Sequence, residues 1–195
     1  MRRKKFSLKS EYKSSWNYIV ESKKFIYAII GVFFFSFLIG FLVAPPEALV
    51  ETILKFIREL LEKTSGMSNF ELMKFIFFNN IQSSFFGMVL GSVFGIFSVF
   101  ASMSNGYLLG FVSSMAVLEG GVFVLWRLLP HGIFELPAIF ISLGLGLKLG
   151  TFIFYREKLE TFKKFFVNSL KVFLYIIFPL LIIAGIIEAT LIAFF

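Results

Sequence analysis

The sequence contains no cysteine and only one histidine among its 195 residues. Without a thiol, the chain can form no disulfide, iron–sulfur cluster or zinc–thiolate site, and it can use no cysteine nucleophile. Charged residues are also scarce, at 16% against about 25% in ordinary soluble domains. By contrast, 58% of the residues are hydrophobic and 30 of them are phenylalanine. This composition predicts a protein with much of its surface in lipid.

Apolar segments of about 20 residues, the length that crosses a hydrocarbon core of ~30 Å, recur five times along the chain. We therefore predict an all-α fold, a polytopic bundle of about five transmembrane helices. Residues 25–195 form this single transmembrane domain. The predicted spans are 25–43, 81–103, 107–126, 133–154 and 171–195.

The basic residues predict the orientation of the chain. Most of the 19 lysines and arginines fall in residues 1–24, a basic N-terminal segment, or between the fourth and fifth spans. Cytoplasmic loops are enriched in both residue types. We expect a multi-pass cell-membrane protein with a cytoplasmic N-terminus and an external C-terminus. The net charge of +7 then reflects orientation in the membrane, and no nucleic-acid partner is predicted.

Residues 44–80 are predicted to form an external amphipathic helical hairpin. Pro45-Pro46 ends the first span and can open a helix with one apolar face. Ser68 and Glu71 have the spacing of a capping box, which starts a second short helix. Such a hairpin lies in the membrane interface. It would serve either as a lid on the bundle or as a docking surface for a partner membrane or cell-envelope protein.

Glycines recur at four-residue spacing in three of the predicted spans. Small residues at this spacing let two membrane helices approach closely. The contact would lie either within one bundle or at a homodimer interface. The stripes are Gly87/Gly91/Gly95, Gly106/Gly110 and Gly146/Gly150.

Two ionisable residues, His131 and Glu135, interrupt the apolar sequence of residues 129–138. A charge facing hydrocarbon costs roughly 2.5–3.5 kcal/mol, so such residues usually face a bundle interior, a partner or a water-filled cavity. Their four-residue spacing places both on one helix face, where two side chains can bind one cation. Glu119 and Glu188 are expected at a similar depth in the outer half of the bilayer. The four residues are candidate ligands for a divalent ion such as zinc.

Structural roles explain the same residues. His131 would cap the turn between the third and fourth spans, and Glu135 would pair with Arg127 or bond backbone amides freed near Pro137. Glu188 would take its partner from another helix, with Arg127 and His131 as the available cations, or stay protonated.

Four further polar residues have simpler interpretations. Asn79 and Asn80 would break a helix, donate hydrogen bonds between helices or serve as site ligands. Asn105, followed by glycine, would make a tight cytoplasmic turn. Lys148 is predicted to extend its ammonium group along an apolar stem to the cytoplasmic surface, with no functional role.

Several of these motifs together resemble the stage II sporulation protein M family of integral membrane proteins. The resemblance implies a helical membrane fold. The sporulation member belongs to a membrane complex with cell-wall hydrolases during engulfment, whereas its wider relatives have no settled biochemical activity. The motifs, spread over roughly residues 70 to 155, are Asn79-Asn80, the glycine stripe after it, residues 105–110, residues 129–138 and residues 146–150.

The leading functional hypothesis is a non-enzymatic assembly factor or conduit with a polar cavity in the outer half of the bilayer. One alternative is an intramembrane metal-dependent hydrolase, with Glu135 or Glu119 as general base and His131 as ligand. Another is an ion or solute transporter that uses Glu119 and Glu188. The chain has neither a metalloprotease H-E-x-x-H motif nor a visible inverted repeat, which favours the assembly factor or conduit.

The predicted topology is directly testable. Reporter fusions at the two termini should report opposite sides of the membrane, because an odd number of spans separates them. Both reporters on one side would mean that one predicted span does not cross.

Overall fold

The computed structural model describes the backbone of residues 7–194, and the side chains of this range except those of residues 126–131, 134 and 188–194. The described chain is helical and contains no strand. Seven α-helices follow one another: α1 Leu8–Leu42, α2 Glu47–Thr64, α3 Asn69–Leu90, α4 Ile96–Gly120, α5 Leu129–Gly150, α6 Lys158–Val172 and α7 Phe178–Phe194. A π-helical turn at Phe173–Ile177 joins α6 to α7, and short 3-10 segments at Val122–Leu128 and Thr151–Phe154 flank α5.

Four stretches are long and apolar enough to cross a membrane: Leu8–Leu42, Ile96–Gly120, Glu135–Phe154 and Lys158–Ile187. The 22 residues of α3 are also long enough, but this helix is not among the four. Asn79, Asn80 and Gln82 lower its hydropathy. The all-α membrane-spanning fold is thus confirmed, and the predicted count of about five spans is approximate.

The predicted second span, 81–103, is wrong as a continuous helix. The helix breaks at residues 91–95, where Phe94 has a φ of 54° and Gly95 a φ of 74°. This left-handed backbone is available to glycine without steric cost. The glycine at position 95, read from the sequence as part of a packing stripe, therefore also makes the turn between α3 and α4.

The predicted turn at Asn105 is wrong as well, and so is the helix-breaking alternative for Asn79 and Asn80. Asn105 lies inside α4, where its amide donates a hydrogen bond of 2.9 Å to the carbonyl of Ala101 one turn earlier. Asn79 and Asn80 do not end a helix either, because α3 continues without interruption to Leu90. Tertiary contacts of the neighbouring residues hold both segments helical despite their turn-forming sequence.

The predicted capping box at the start of α3 is confirmed, but the prediction that it starts a short helix ending by residue 80 is wrong, because α3 continues to Leu90. The backbone amide of Ser68 donates to a Glu71 carboxylate oxygen at 2.8 Å, and the amide of Glu71 donates to the Ser68 hydroxyl at 3.4 Å. These bonds satisfy backbone donors that the first helical turn leaves free. These two hydrogen bonds therefore fix the residue at which α3 begins after the short connection from α2.

Contacts at small residues show that α1 and α4 run parallel. The hydroxyl of Ser102 donates to the carbonyl of Ile29, and Gly106 lies against Phe33. Contacting residue numbers therefore increase together along both helices. In contrast, α5 runs antiparallel to α1, because Gly144 lies against Ile26 while Phe140 packs on Phe33 with ring centroids 5.0 Å apart.

The remaining contacts give the directions of α3 and α7. The hydroxyl of Ser142 bonds the carbonyl of Ser84, and Gly146 lies against the carbonyl of Met88, so α3 and α5 are parallel. Phe77 packs on Phe178, whereas Phe85 packs on Phe173, so α7 is antiparallel to α3. The five long helical segments α1, α3, α4, α5 and α6–α7 therefore alternate in direction, as the predicted topology requires. Which end is cytoplasmic remains a prediction.

Helix α5 occupies the centre of the bundle. It contributes Phe140 and Leu143 to one apolar cluster with α1, and Leu145 to a second cluster with α3, α7 and the π-helical turn. Every residue from 142 to 150 except the half-buried Leu147 is buried. Large apolar side chains on the outward faces of the other helices stay exposed, as expected for surfaces that meet lipid.

The glycine stripes make contacts within one bundle, which confirms that alternative. A β-carbon at Gly150 would collide with the backbone nitrogen of Gly95, and one at Gly146 would lie 2.8 Å from the carbonyl oxygen of Gly87. Gly106 and Gly110 approach α1 equally closely. A homodimer, which remains a prediction, would therefore have to use other surfaces.

Replacing Gly106 by alanine should destabilise the protein. The new methyl group would meet the backbone of Phe33, and forcing an extra carbon into a packed contact costs roughly 1–3 kcal/mol of unfolding free energy. Gly31→Ala is the matched control, because the exposed Gly31 has nothing within 4 Å of such a carbon. Denaturation in detergent measures both variants. Equal stability of the two would contradict the close contact of α1 with α4.

Candidate functional site

The candidate metal ligands of the outer half are only partly described. The side chains of His131, Glu188 and Arg127 lie outside the described residues. Glu119 is exposed at the penultimate position of α4, and Glu135 is half-buried in α5. Among the side chains that the structure describes, no three histidine or acidic residues form a group that could hold a metal ion. The four-ligand site therefore remains a prediction.

The asparagines predicted to accompany this site lie in separate surroundings. Asn79 is exposed and Asn80 half-buried in the middle of α3. Asn105 is exposed on α4, beside the glycine that contacts α1, and its amide bonds its own helix. None of their described contacts favours a ligand role.

The structure instead reveals a polar cluster around Lys148, which is only 7% exposed. Its ammonium nitrogen donates to the hydroxyl oxygen of Ser22 at 2.9 Å, and that hydroxyl donates to the carbonyl of Tyr18 at 2.6 Å. The prediction that this ammonium extends to the surface is wrong for the described structure. Helix α1 crosses its path and offers an acceptor inside the bundle.

Two aromatic rings cover the ammonium group. The Lys148 nitrogen lies 3.7 Å from the centre of the Tyr18 ring and 5.2 Å from that of Phe165. The Tyr18 hydroxyl in turn donates to the carbonyl of Phe165 at 3.4 Å. A cation over an aromatic face gains about 2 kcal/mol or more when water is excluded. The cluster thus joins α1, α5 and α6 through one cation.

Further polar groups border the cluster. Ser169, on α6, is buried next to the Tyr18 hydroxyl. Ser15 lies one turn before Tyr18, and its buried hydroxyl has no hydrogen-bond partner within the described structure. An ion pair of 2.6 Å between Lys171 and Glu11 connects α6 with the beginning of α1.

The charge of Lys148 is poorly compensated. Among the described side chains, no carboxylate comes within ion-pair distance of its ammonium group. Glu21 attracts it from farther away, while Lys24 and Lys164 repel it. Removing a charge from water costs several kcal/mol unless a partner compensates. A buried ionisable group in a membrane helix is by default a candidate functional residue.

The sequence did contain a signal for this cluster. Ser15, Tyr18 and Ser22 occupy one face of α1 at spacings of three and four residues. Lys148 lies between two glycines of a packing stripe, on the helix that becomes central. Its partners come from segments 126 and 17 positions away in the chain, so only the tertiary structure shows the pairing.

The comparison with protein families gives a match to the model described as stage II sporulation protein M, over residues 29–191. The chain is also similar to an uncharacterized protein of Methanocaldococcus jannaschii, with 32% identity over 146 residues. This alignment covers 68% of the chain and 61% of the archaeal protein. No solved structure matches the chain. Lys148 and Phe165 fall within the family match, whereas Tyr18 and Ser22 precede it.

Ser22→Ala should destabilise the bundle, because it removes the acceptor of a buried ammonium group. The expected loss in unfolding free energy is roughly 1–3 kcal/mol. Ser14→Ala, at an exposed position of the same helix, is the matched control. Adding Lys148→Met should recover part of the loss, since both polar partners are then absent. No difference between the two serine variants in detergent denaturation would contradict this bond.

Proposed function

The chain belongs to the stage II sporulation protein M family, and from this premise we propose that it is a membrane assembly factor. In this role it holds a partner protein at the external surface of the cell membrane. The proposal combines the family with two features of the fold. One is an amphipathic helix whose apolar face is only partly covered by the chain. The other is a closely packed bundle interior.

The observation that carries the proposal is the exposed apolar face of α2. Ile53 is buried, and Val50 and Ile57 on the same face are half-buried. On the same face, Phe56 and Leu61 are 52% and 62% exposed. Charged residues occupy the opposite face. A helix with this pattern stabilises its fold by covering the apolar stripe, and the chain itself covers only part of the stripe here. This favours the docking surface over the lid.

The connections of α2 hold it at one end of the bundle. Pro45-Pro46 joins it to the end of α1, and a short turn leads to the capped start of α3. The ammonium of Lys63 lies 5.2 Å from the ring centre of Phe75, which ties the end of α2 to α3. The apolar stripe is therefore held where α1 leaves the apolar core of the membrane. A fitting partner is a membrane-anchored protein that presents an apolar helix at the same depth.

The bundle interior favours an assembly factor over a conduit. The turn that begins at the end of α3 touches α5 backbone to backbone, Gly91 against Gly146. The Ser98 hydroxyl of α4 fills the same crossing and donates to the carbonyl of Gly87 at 3.0 Å. A solute path needs continuous space lined by polar groups, and this crossing leaves none. The hydrolase hypothesis depends on His131, whose side chain is not described.

Site-specific photocrosslinking in native membranes tests the docking surface. A photoreactive residue in place of Phe56 or Leu61 should form a discrete adduct with one membrane-anchored protein. The same residue in place of Lys55, on the charged and exposed side of α2, should form none. The double variant Phe56→Ser/Leu61→Ser should lose association with the identified partner while it still accumulates in the membrane.

Two results would contradict the proposal. The first is that adducts from Phe56 and Leu61 contain only lipid, which would make α2 a membrane anchor. The second is that purified protein in liposomes passes ions or small solutes faster than protein-free liposomes do. That result would favour a conduit.

A further inference from the structure

A cavity of about 160 Å³ lies between α3 and α7. Its lining is apolar, and Lys74 is the only charged residue among the described residues that line it. We propose that this cavity binds an acyl chain of an anionic phospholipid whose headgroup pairs with Lys74. No described residue of α2 lines the cavity, so the inference does not rest on the proposed assembly role. The lining residues are Met73, Lys74 and Phe77 of α3 and Ile182, Gly185 and Ile186 of α7.

The missing side chain of Gly185 leaves room between the two helices. A β-carbon at Gly185 would lie 3.3 Å from the nearest carbon of the Phe77 ring. Phe77 also packs on Phe178, with ring centroids 6.3 Å apart, so α3 and α7 stay in contact beside the cavity. Ile182 and Ile186 are 38% and 60% exposed, so the cavity opens to the surrounding lipid. A cavity of about 150 Å³ can hold benzene, and this one therefore accepts a segment of an acyl chain.

Lys74 places a positive charge at the edge of this cavity. The ammonium nitrogen lies 4.3 Å from the ring centre of Phe70, one turn nearer the start of α3, and both side chains are exposed. Lysines at membrane surfaces commonly lay the stem on apolar groups and keep the charge in the wetter region. A headgroup at Lys74 would therefore lie towards the start of α3, while its acyl chain extends along the cavity towards Phe77.

The described part of the chain gives this ammonium no ion pair. Among the described side chains, no carboxylate lies within ion-pair distance of Lys74. Glu71, three residues earlier, uses its carboxylate in the capping box with Ser68. A phosphate group supplies both a negative charge and several acceptors for an ammonium group. A soluble phosphate would leave the apolar cavity unfilled, which favours a lipid as the source of that group.

Lipid competition on the purified full-length chain in detergent tests the charge. Native mass spectrometry compares phosphatidylglycerol with phosphatidylcholine of the same acyl chains. We expect the wild type to prefer phosphatidylglycerol, and Lys74→Gln to reduce this preference by about fivefold, the effect of one lysine near an anionic surface. Lys63→Gln is the matched control, because Lys63 is also an exposed lysine beside a phenylalanine ring but does not line the cavity. It should leave the preference within about twofold.

A second pair of variants tests the cavity. Gly185→Leu fills it from α7 and should abolish the preference, because the lipid no longer lies beside Lys74. The added carbons meet the side chain of Phe77 rather than a backbone, so the helices can stay packed. Gly31→Leu is the control and should bind as the wild type does, because Gly31 is exposed on α1 with nothing within 4 Å of a β-carbon. If Gly185→Leu fails to fold, the two lysine variants decide, since both lysines are exposed.

Equal binding of the two lipids by the wild type would overturn the proposal, and so would an equal loss in Lys74→Gln and Lys63→Gln. An unchanged preference in folded Gly185→Leu would exclude the cavity. Displacement of the lipid by millimolar glycerol phosphate, which has no acyl chain, would assign the site to a soluble anion. A preference that appears only in Glu188→Gln would mean that Glu188, whose side chain is not described, neutralises Lys74 within the chain.

Discussion

Direct backbone contact between helices is the constraint on which the rest of this structure depends. Lipid chains are as apolar as the helices they surround, so membrane helices associate through close packing and hydrogen bonds rather than through the hydrophobic effect. Here glycines of the turn after α3 touch α5 at two successive positions, Gly91 against Gly146 and Gly95 against Gly150. The small residues of α4 allow the same approach to α1. These contacts fix α5 at the centre of the bundle, with Lys148 between two of the contacting glycines.

Because the centre of the bundle is closely packed, its two notable features, the apolar stripe of α2 and the polar cluster around Lys148, lie towards its two ends. At one end, α2 leaves part of its apolar stripe exposed, which supports a role in holding another protein. At the other end, α5 brings Lys148 under α1 and α6. The hydroxyl of Ser22 and the ring of Tyr18 stabilise the ammonium without a nearby carboxylate. A carboxylate there would compensate the charge within the chain. Among the described side chains no carboxylate lies within ion-pair distance, so the hydroxyl and the rings provide this stabilisation.

The burial of Lys148 illustrates a balance between two ways to place a charge in a membrane helix. Extension of the stem to the surface keeps the ammonium hydrated, whereas the interior offers hydrogen bonding and cation–π attraction. The interior position exists only because the glycines on either side of Lys148 bring neighbouring backbones close to α5. A larger residue at Gly144 would hold α1 away, and Ser22 would then be out of reach. The same packing that closes the interior therefore creates the polar cluster.

The sequence by itself determined the membrane class, the helical fold and the local signals, because apolar length and capping chemistry act over neighbouring residues. Ser68 and Glu71 start α3 as their spacing predicts, and the glycine stripes pack within the bundle. Only the tertiary structure decided where α3 ends and why Asn105 stays helical, because contacts between distant segments outweigh local turn preference. It also decided the surroundings of Lys148, whose acceptor lies 126 positions away in the chain. Such pairings depend on which helices become neighbours, and no local pattern encodes that choice.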